Sequence, residues 1–136
     1  MYYFDHEKLD AYQTAMEFAV LIDEIVEQFP RGRSHLADQL HRASTSVLLN
    51  IAEGAGEYAE NEKARFYRMA RRSGTESAAI LELGKRLKLI DESNYGKSRE
   101  LLIRIISMLT KMTRLGNGNA NGNGNELAPL KHKPQF

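Results

Sequence analysis

The densest set of chemically committed side chains is a group of cations between residues 65 and 86. Set on a helix at about 100° per residue, Arg65, Arg68, Arg72 and Arg86 fall within roughly 60° of one another. They lie opposite a stripe containing Phe66, Ala70, Ser77 and Leu81, and Arg71 and Lys85 widen the group on one side. A guanidinium is planar, permanently charged and forked, so two of its N–H groups match two oxygens of one phosphate. Further along, Lys97, Arg104 and Lys111, with Arg114 near them, form a second basic line. Faces of one sign such as these bind polyanion backbones with an affinity that falls steeply as salt rises. The competing reading is a solvated face that keeps a helix soluble. No aromatic platform for stacking bases accompanies the cations, so the expected contacts are to phosphate and carry little sequence specificity.

Other chemistry is sparse. His6, His35, His41 and His132 show neither an H-E-x-x-H pattern nor pairing with each other at helical spacing, and there is no Cys, so no metal centre is expected. No phosphate-binding loop or dinucleotide fingerprint occurs. Glu53 and Glu76 are the one carboxylate pair that two neighbouring helices would bring together, for acid–base work or a two-metal centre. The Glu-x-x-His pairs of such centres are missing. A structural polar network of Arg42, Ser46, Asn50, Glu53, Ser73 and Glu76 is the more economical reading, with Arg42 as counter-charge to a glutamate. No catalytic residue, cofactor or metal is therefore expected, and the function is read as non-enzymatic.

Net charge is +1, but the average hides an asymmetry. Residues 1–62 hold four bases against twelve acids, whereas residues 63–136 hold fifteen bases against six acids. Such a division suits either an anionic partner for one surface or association of opposite surfaces of two copies. The opening residues MYYFDHEKLD show no positive n-region followed by an apolar h-region and no membrane-length apolar run occurs, so neither secretion nor a membrane partner is expected and the cytoplasm is the default location.

The elements that must position these groups are helical. Apolar residues recur at three- and four-residue intervals: Leu9, Tyr12, Met16, Ala19, Ile22, Val26 and Phe29; then Leu36, Leu40, Ala43, Val47 and Ile51. A third run carries Phe66, Ala70, Ser73, Ser77, Ile80 or Leu81, Gly84 and Leu87, and a fourth Leu101, Ile105, Met108 or Leu109, Met112 and Leu115. Pro30 separates the first two, with Ser34 the expected N-cap of the second; Gly54 and Gly56 precede the third, and Asp91 or Ser93 can cap the fourth. Four amphipathic helices with short links predict an all-α, antiparallel up-down-up-down four-helix bundle over residues 1–115. Residues 116–136, opening with GNGNANGNGN, read as a flexible Gly/Asn-rich tail.

Self-association is expected as well. Ile103 and Ile106 on the fourth helix, and Phe18, Leu21 and Ile25 on the first, point away from the main stripes and would leave apolar surface for another copy. Asp10, Glu17 and Glu24 repeat every seven residues as an acidic ridge. That ridge either faces water or receives the basic ridge of a second subunit, which would make the chain a structural protein-interaction bundle without nucleic-acid binding.

The stretch QLHRASTSVLLNIAEGAGE, Gln39 to Glu57, resembles the signature of the small bundle proteins of bacterial 23S rRNA intervening sequences. The match runs through Gln39, Leu40, Arg42, Ala43, Ser46, Asn50, Ile51, Ala52, Glu53 and Gly54. LDAYQTAMEFA resembles that family's first helix, and FYRMARRSGTESAAILELGKRLKLI its third, including Arg71, Ser73 and Glu76. His41, Leu48 and Glu57 depart from the pattern, standing where Arg, Pro and a basic residue are common. The resemblance implies a barrel-like homopentamer. It extends to the accessory variability determinant proteins of diversity-generating retroelements, which implies RNA or DNA binding beside a reverse transcriptase.

Overall fold

The computed structural model describes residues 4–121. A 3-10 turn, Asp5–Lys8, leads into α1 (Asp10–Glu27), and a second, Arg31–Arg33, leads into α2 (Ser34–Ala55). Helices α3 (Glu60–Arg86) and α4 (Glu92–Asn121) complete the chain, with no strand among the described residues. Helix α1 packs on α2, α2 on α3, α3 on α4, and α4 back on α1. Links of a few residues cannot return the chain along a helix of 18 residues or more, so neighbours run antiparallel and the helices close an up-down-up-down bundle.

The breaks have local causes. Pro30 stands in extended geometry (φ −70°, ψ 161°) at the head of the Arg31–Arg33 turn. Ser34 does not cap α2: its backbone is already helical (φ −61°, ψ −30°), and the 3-10 turn supplies the entry instead. Asp91 does cap α4, its Oδ1 accepting the Asn94 N–H at 2.7 Å. At the end of α3, Lys88 turns into the left-handed region (φ 63°), and the Leu89 N–H reaches the Gly84 carbonyl at 2.8 Å. That reversal seats Ile90 on Gly84, where an added Cβ would stand 2.7 Å from Ile90 Cδ1.

The centre holds Phe18, Ile22, Leu40, Val47, Ile51, Leu81, Ile105 and Leu109, all fully buried. On α1 the phase differs from the sequence expectation. Phe18 and Ile25, expected to point outward, lie in the core with Ala11, Thr14 and Ala15, while Met16, assigned to the stripe, is exposed. Ala11, Thr14 and Ala15 let α1 approach its neighbours closely on the face that also carries Phe18, Ile22 and Ile25, and that face turns inward while Met16 is left outside. Backbone helix also continues past Leu115 to Asn121; the rest of the expected tail, 122–136, lies outside the described residues. No helix among the described residues is long and apolar enough to cross a membrane.

Candidate nucleic-acid interface

Helix α3 turns Ala64, Tyr67, Ala70, Gly74, Ser77, Leu81 and Gly84 inward, which sends Arg65, Arg68 and Arg72 toward solvent from the opposite side. The ridge is not uniform. At its head, the Arg65 Nη2 lies 3.0 Å from Glu62 Oε1, and the guanidinium stands over the Phe66 ring at 4.8 Å. The Glu62 hydrogen bond, and then its charge, raise the Arg65 pKa. At the far end Arg86 pairs with Glu82 at 3.2 Å, and Lys85 pairs with Glu92 at 3.4 Å while lying over Tyr95. Carboxylates therefore engage the basic face at both of its ends.

The middle is different. Among the described residues Arg68, Arg71 and Arg72 form no ion pair, although Glu76 follows Arg72 by one helical turn. Arg72 is exposed and Arg68 partly so. Arg71 leans toward α4 and donates from Nη1 to Thr110 Oγ1 at 3.3 Å. Burial lowers its pKa, and the neighbouring Arg68 charge lowers it further.

The cations of α4 divide between two sides. Arg104 lines one groove with Asp10 and Glu17 of α1, and a second, with Lys97, beside Glu17 and Glu24. The acidic ridge of α1 thus offsets part of this basic line within one chain. Lys111 instead lines the groove between α3 and α4, together with Arg99 and Arg114. Arg99 was missed from sequence because it lies off the Lys97–Arg104 line; only the packing of α3 against α4 shows that it shares a groove with Lys111.

The polar residues of α2 meet α3 in a shallow groove lined by Gln39, Arg42, Ser46, Asn50, Ser73 and Glu76. Part of the expected network forms: the Ser46 and Ser73 hydroxyls lie 2.9 Å apart, and Asn50 Nδ2 donates to Ser46 Oγ at 3.0 Å. Arg42, Glu53 and Glu76 stay out of it. All three are exposed, and among the described residues no ion pair joins Arg42 to either glutamate, because solvent already satisfies each charge. No cluster of possible metal ligands occurs among the described residues.

The sequence pattern of the 23S rRNA-intervening sequence protein family matches residues 7–111. This chain belongs to that family. Among solved structures it is similar to a protein of unknown function from the S23 ribosomal protein family of Bacteroides thetaiotaomicron VPI-5482, with a TM-score of 0.72 and 21% identity. The match covers 76% of this chain and 98% of the other, and it establishes a shared fold. No curated protein matches.

In this intervening-sequence family member, the signature residue Ser46 bonds across the α2–α3 seam to Ser73, and Asn50, one turn on along α2, donates to the Ser46 hydroxyl. Gly54 closes the same seam below the Tyr67 ring. The departures from the family pattern have local accommodations. His41 Nε2 lies 3.9 Å from Asp23 Oδ1 on α1, and Leu48 packs against the core edge.

Proposed function

We propose that this intervening-sequence family protein is a non-enzymatic RNA- or DNA-binding bundle that grips the phosphate backbone with the middle of the α3 ridge. The observation that carries the reading is the run Arg68, Arg71 and Arg72: three guanidiniums within two helical turns, none ion-paired among the described residues. Cations without carboxylate partners keep their full charge for a polyanion, whereas Arg65 and Arg86 must first leave Glu62 and Glu82. Lys111, whose groove holds no carboxylate, adds to the surrounding positive field and steers encounter, whereas Lys85 must first leave Glu92 and the charges of Lys97 and Arg104 are partly offset by the acids of α1.

The resemblance to accessory variability determinant proteins supports a place beside the reverse transcriptase of a diversity-generating retroelement, with the chain assembled as a homopentamer in the cytoplasm. Assembly multiplies the ridge, and several weak phosphate contacts held together raise the apparent affinity by orders of magnitude.

The test is retention of a single-stranded RNA and a duplex DNA oligonucleotide by Arg65→Glu/Arg68→Glu/Arg72→Glu. Loss of retention at low salt with unchanged helicity and unchanged mass in light scattering supports the proposal. Undiminished retention refutes it. A drop in mass favours the protein-interaction reading, in which the ridge joins subunits.

A further inference from the structure

The groove between α3 and α4 has a volume of about 560 Å³, within the range of sites that hold small organic ligands. Gly74, Ala78, Leu102 and Ile106 floor it, and Ile103 stands at its edge with 54% of its surface exposed. A Cβ on Gly74 would meet Ile106 Cδ1 at 2.8 Å, so the glycine lets the two helices close into a continuous aliphatic floor.

No carboxylate lines this groove, and its cations are unevenly placed. Arg99 stands toward one end. Toward the other, roughly 16 Å away along α4, Lys111 and Arg114 flank Thr110, whose Oγ1 accepts the Arg71 hydrogen bond at 3.3 Å. None of these four cations is ion-paired among the described residues. Arg71 is half-buried, and burial and then the Arg68 charge lower its pKa, so its charge is held at a cost that no carboxylate offsets.

We propose that the α3–α4 groove binds an amphiphilic anion with a single alkyl chain, a long-chain carboxylate free in solution. The carboxylate sits among Arg71, Lys111 and Arg114, where forked guanidiniums and an ammonium match its two oxygens. The alkyl chain lies over Gly74, Leu102 and Ile106 and passes Ile103. Arg99 lays its own alkyl stem beside the chain and keeps its charge in water.

The distribution of charge selects this ligand class. Cations gather at one end and the floor behind them is aliphatic, which is the polarity of a charged head with a chain drawn out behind it. A nucleic-acid strand carries a charge at every nucleotide and stacks its bases on rings, and the floor supplies neither cations nor aromatic side chains. An acidic amphipathic helix carries its charges along its length, where the groove offers the hydroxyls of Thr75 and Ser107 instead. The other grooves lack this character. The α2–α3 groove holds both Arg42 and Glu76, and those between α1 and α4 set Arg104 beside acids of the same chain. The inference goes beyond the nucleic-acid reading and does not depend on it.

The experiment is equilibrium dialysis of the full chain against radiolabelled myristate below its micellar concentration. The parent is compared with Lys111→Gln/Arg114→Gln, Ile103→Asp and Leu49→Asp. Saturable binding of one myristate per chain is expected, competed by tetradecyl sulfate and not by acetate or by tetradecyltrimethylammonium. Each of the two groove variants weakens binding by about tenfold or more with helicity retained. Leu49→Asp, at an exposed position in the α2–α3 groove, binds as the parent does. Ile103 is exposed, so its substitution places a carboxylate against the alkyl chain without disturbing the core. Absence of saturable binding overturns the proposal, as does equal competition by the cationic amphiphile or parent affinity in both groove variants. Sedimentation with phosphatidylglycerol vesicles in a protein that binds no dissolved myristate shows a membrane surface as the source of the anion and also overturns it. Oligonucleotide retention by the parent is scored separately, so failure of this site and failure of the nucleic-acid reading are distinguishable.

Discussion

A Cβ built on Gly54 would stand 2.6 Å from Cε1 of Tyr67, so the end of α2 and the start of α3 touch through a glycine and the edge of a buried ring. Helix propensity alone favours Ala over Gly by about 1 kcal/mol at an interior position. Here the ring cannot bend away, and Phe66 Cβ crowds the same point at 3.2 Å. Gly54→Ala is therefore expected to lower stability by about 1–2 kcal/mol in urea unfolding. Gly74→Ala serves as the control: its nearest obstacle, at 2.8 Å, is Ile106 Cδ1, the far end of an adaptable side chain beside an open groove. Its loss should be smaller than that of Gly54→Ala.

Lys88 holds a left-handed backbone (φ 63°) at the C-terminus of α3, a conformation that a residue with a Cβ enters at a cost of about 1–2 kcal/mol. Lys88→Gly removes that strain and returns part of the gain as entropy of the unfolded chain. A net stabilisation of about 0.5–1 kcal/mol is expected from the same unfolding measurement.

Burial raises the Tyr67 phenol above its ordinary pKa of 10.0, and the Glu60 charge adds to the effect. The folded state consequently holds this proton more tightly than the unfolded chain does. The stability so gained is fully present below the unfolded value and is lost as pH rises through the raised folded one. The urea midpoint should fall across this alkaline range, and Tyr67→Phe should make the fall shallower. An equal fall in both proteins would contradict this assignment.

The helices were legible because Pro30 and Asp91 act locally and because the α2 and α4 stripes are carried by large aliphatics. The phase of α1 was not. Ala11, Thr14 and Ala15 face inward because their neighbours come close, and only tertiary packing reveals that Met16 and Val20 are left outside. The same limit governs the candidate site. Spacing placed Arg65, Arg68 and Arg72 on one face correctly, since a helix alone determines that. Which of these cations keep a free charge depends on rotamers and on neighbouring helices: Arg65 and Arg86 turn to acids of their own helix, and Lys85 to Glu92 of the next. Arg99 joins Lys111 and Arg114 only because α3 packs beside α4.

The unequal pairing along α3 ranks its arginines. Removing Arg65, whose charge is already engaged by Glu62, should weaken oligonucleotide binding less than removing Arg68 or Arg72. Titrations of Arg65→Gln, Arg68→Gln and Arg72→Gln at one low salt concentration check the order.

The most direct measurement of phosphate recognition by α3 is the salt dependence of single-stranded RNA binding in the parent and in Arg68→Gln/Arg72→Gln. Each phosphate contact with a single strand contributes about 0.7 to the slope of log affinity against log salt. The expected result is weaker binding at low salt and a slope shallower by at least about 1.4 in the variant, with the two proteins converging at high salt. Equal affinity and equal slope in the two proteins would contradict the assignment of this face to nucleic acid.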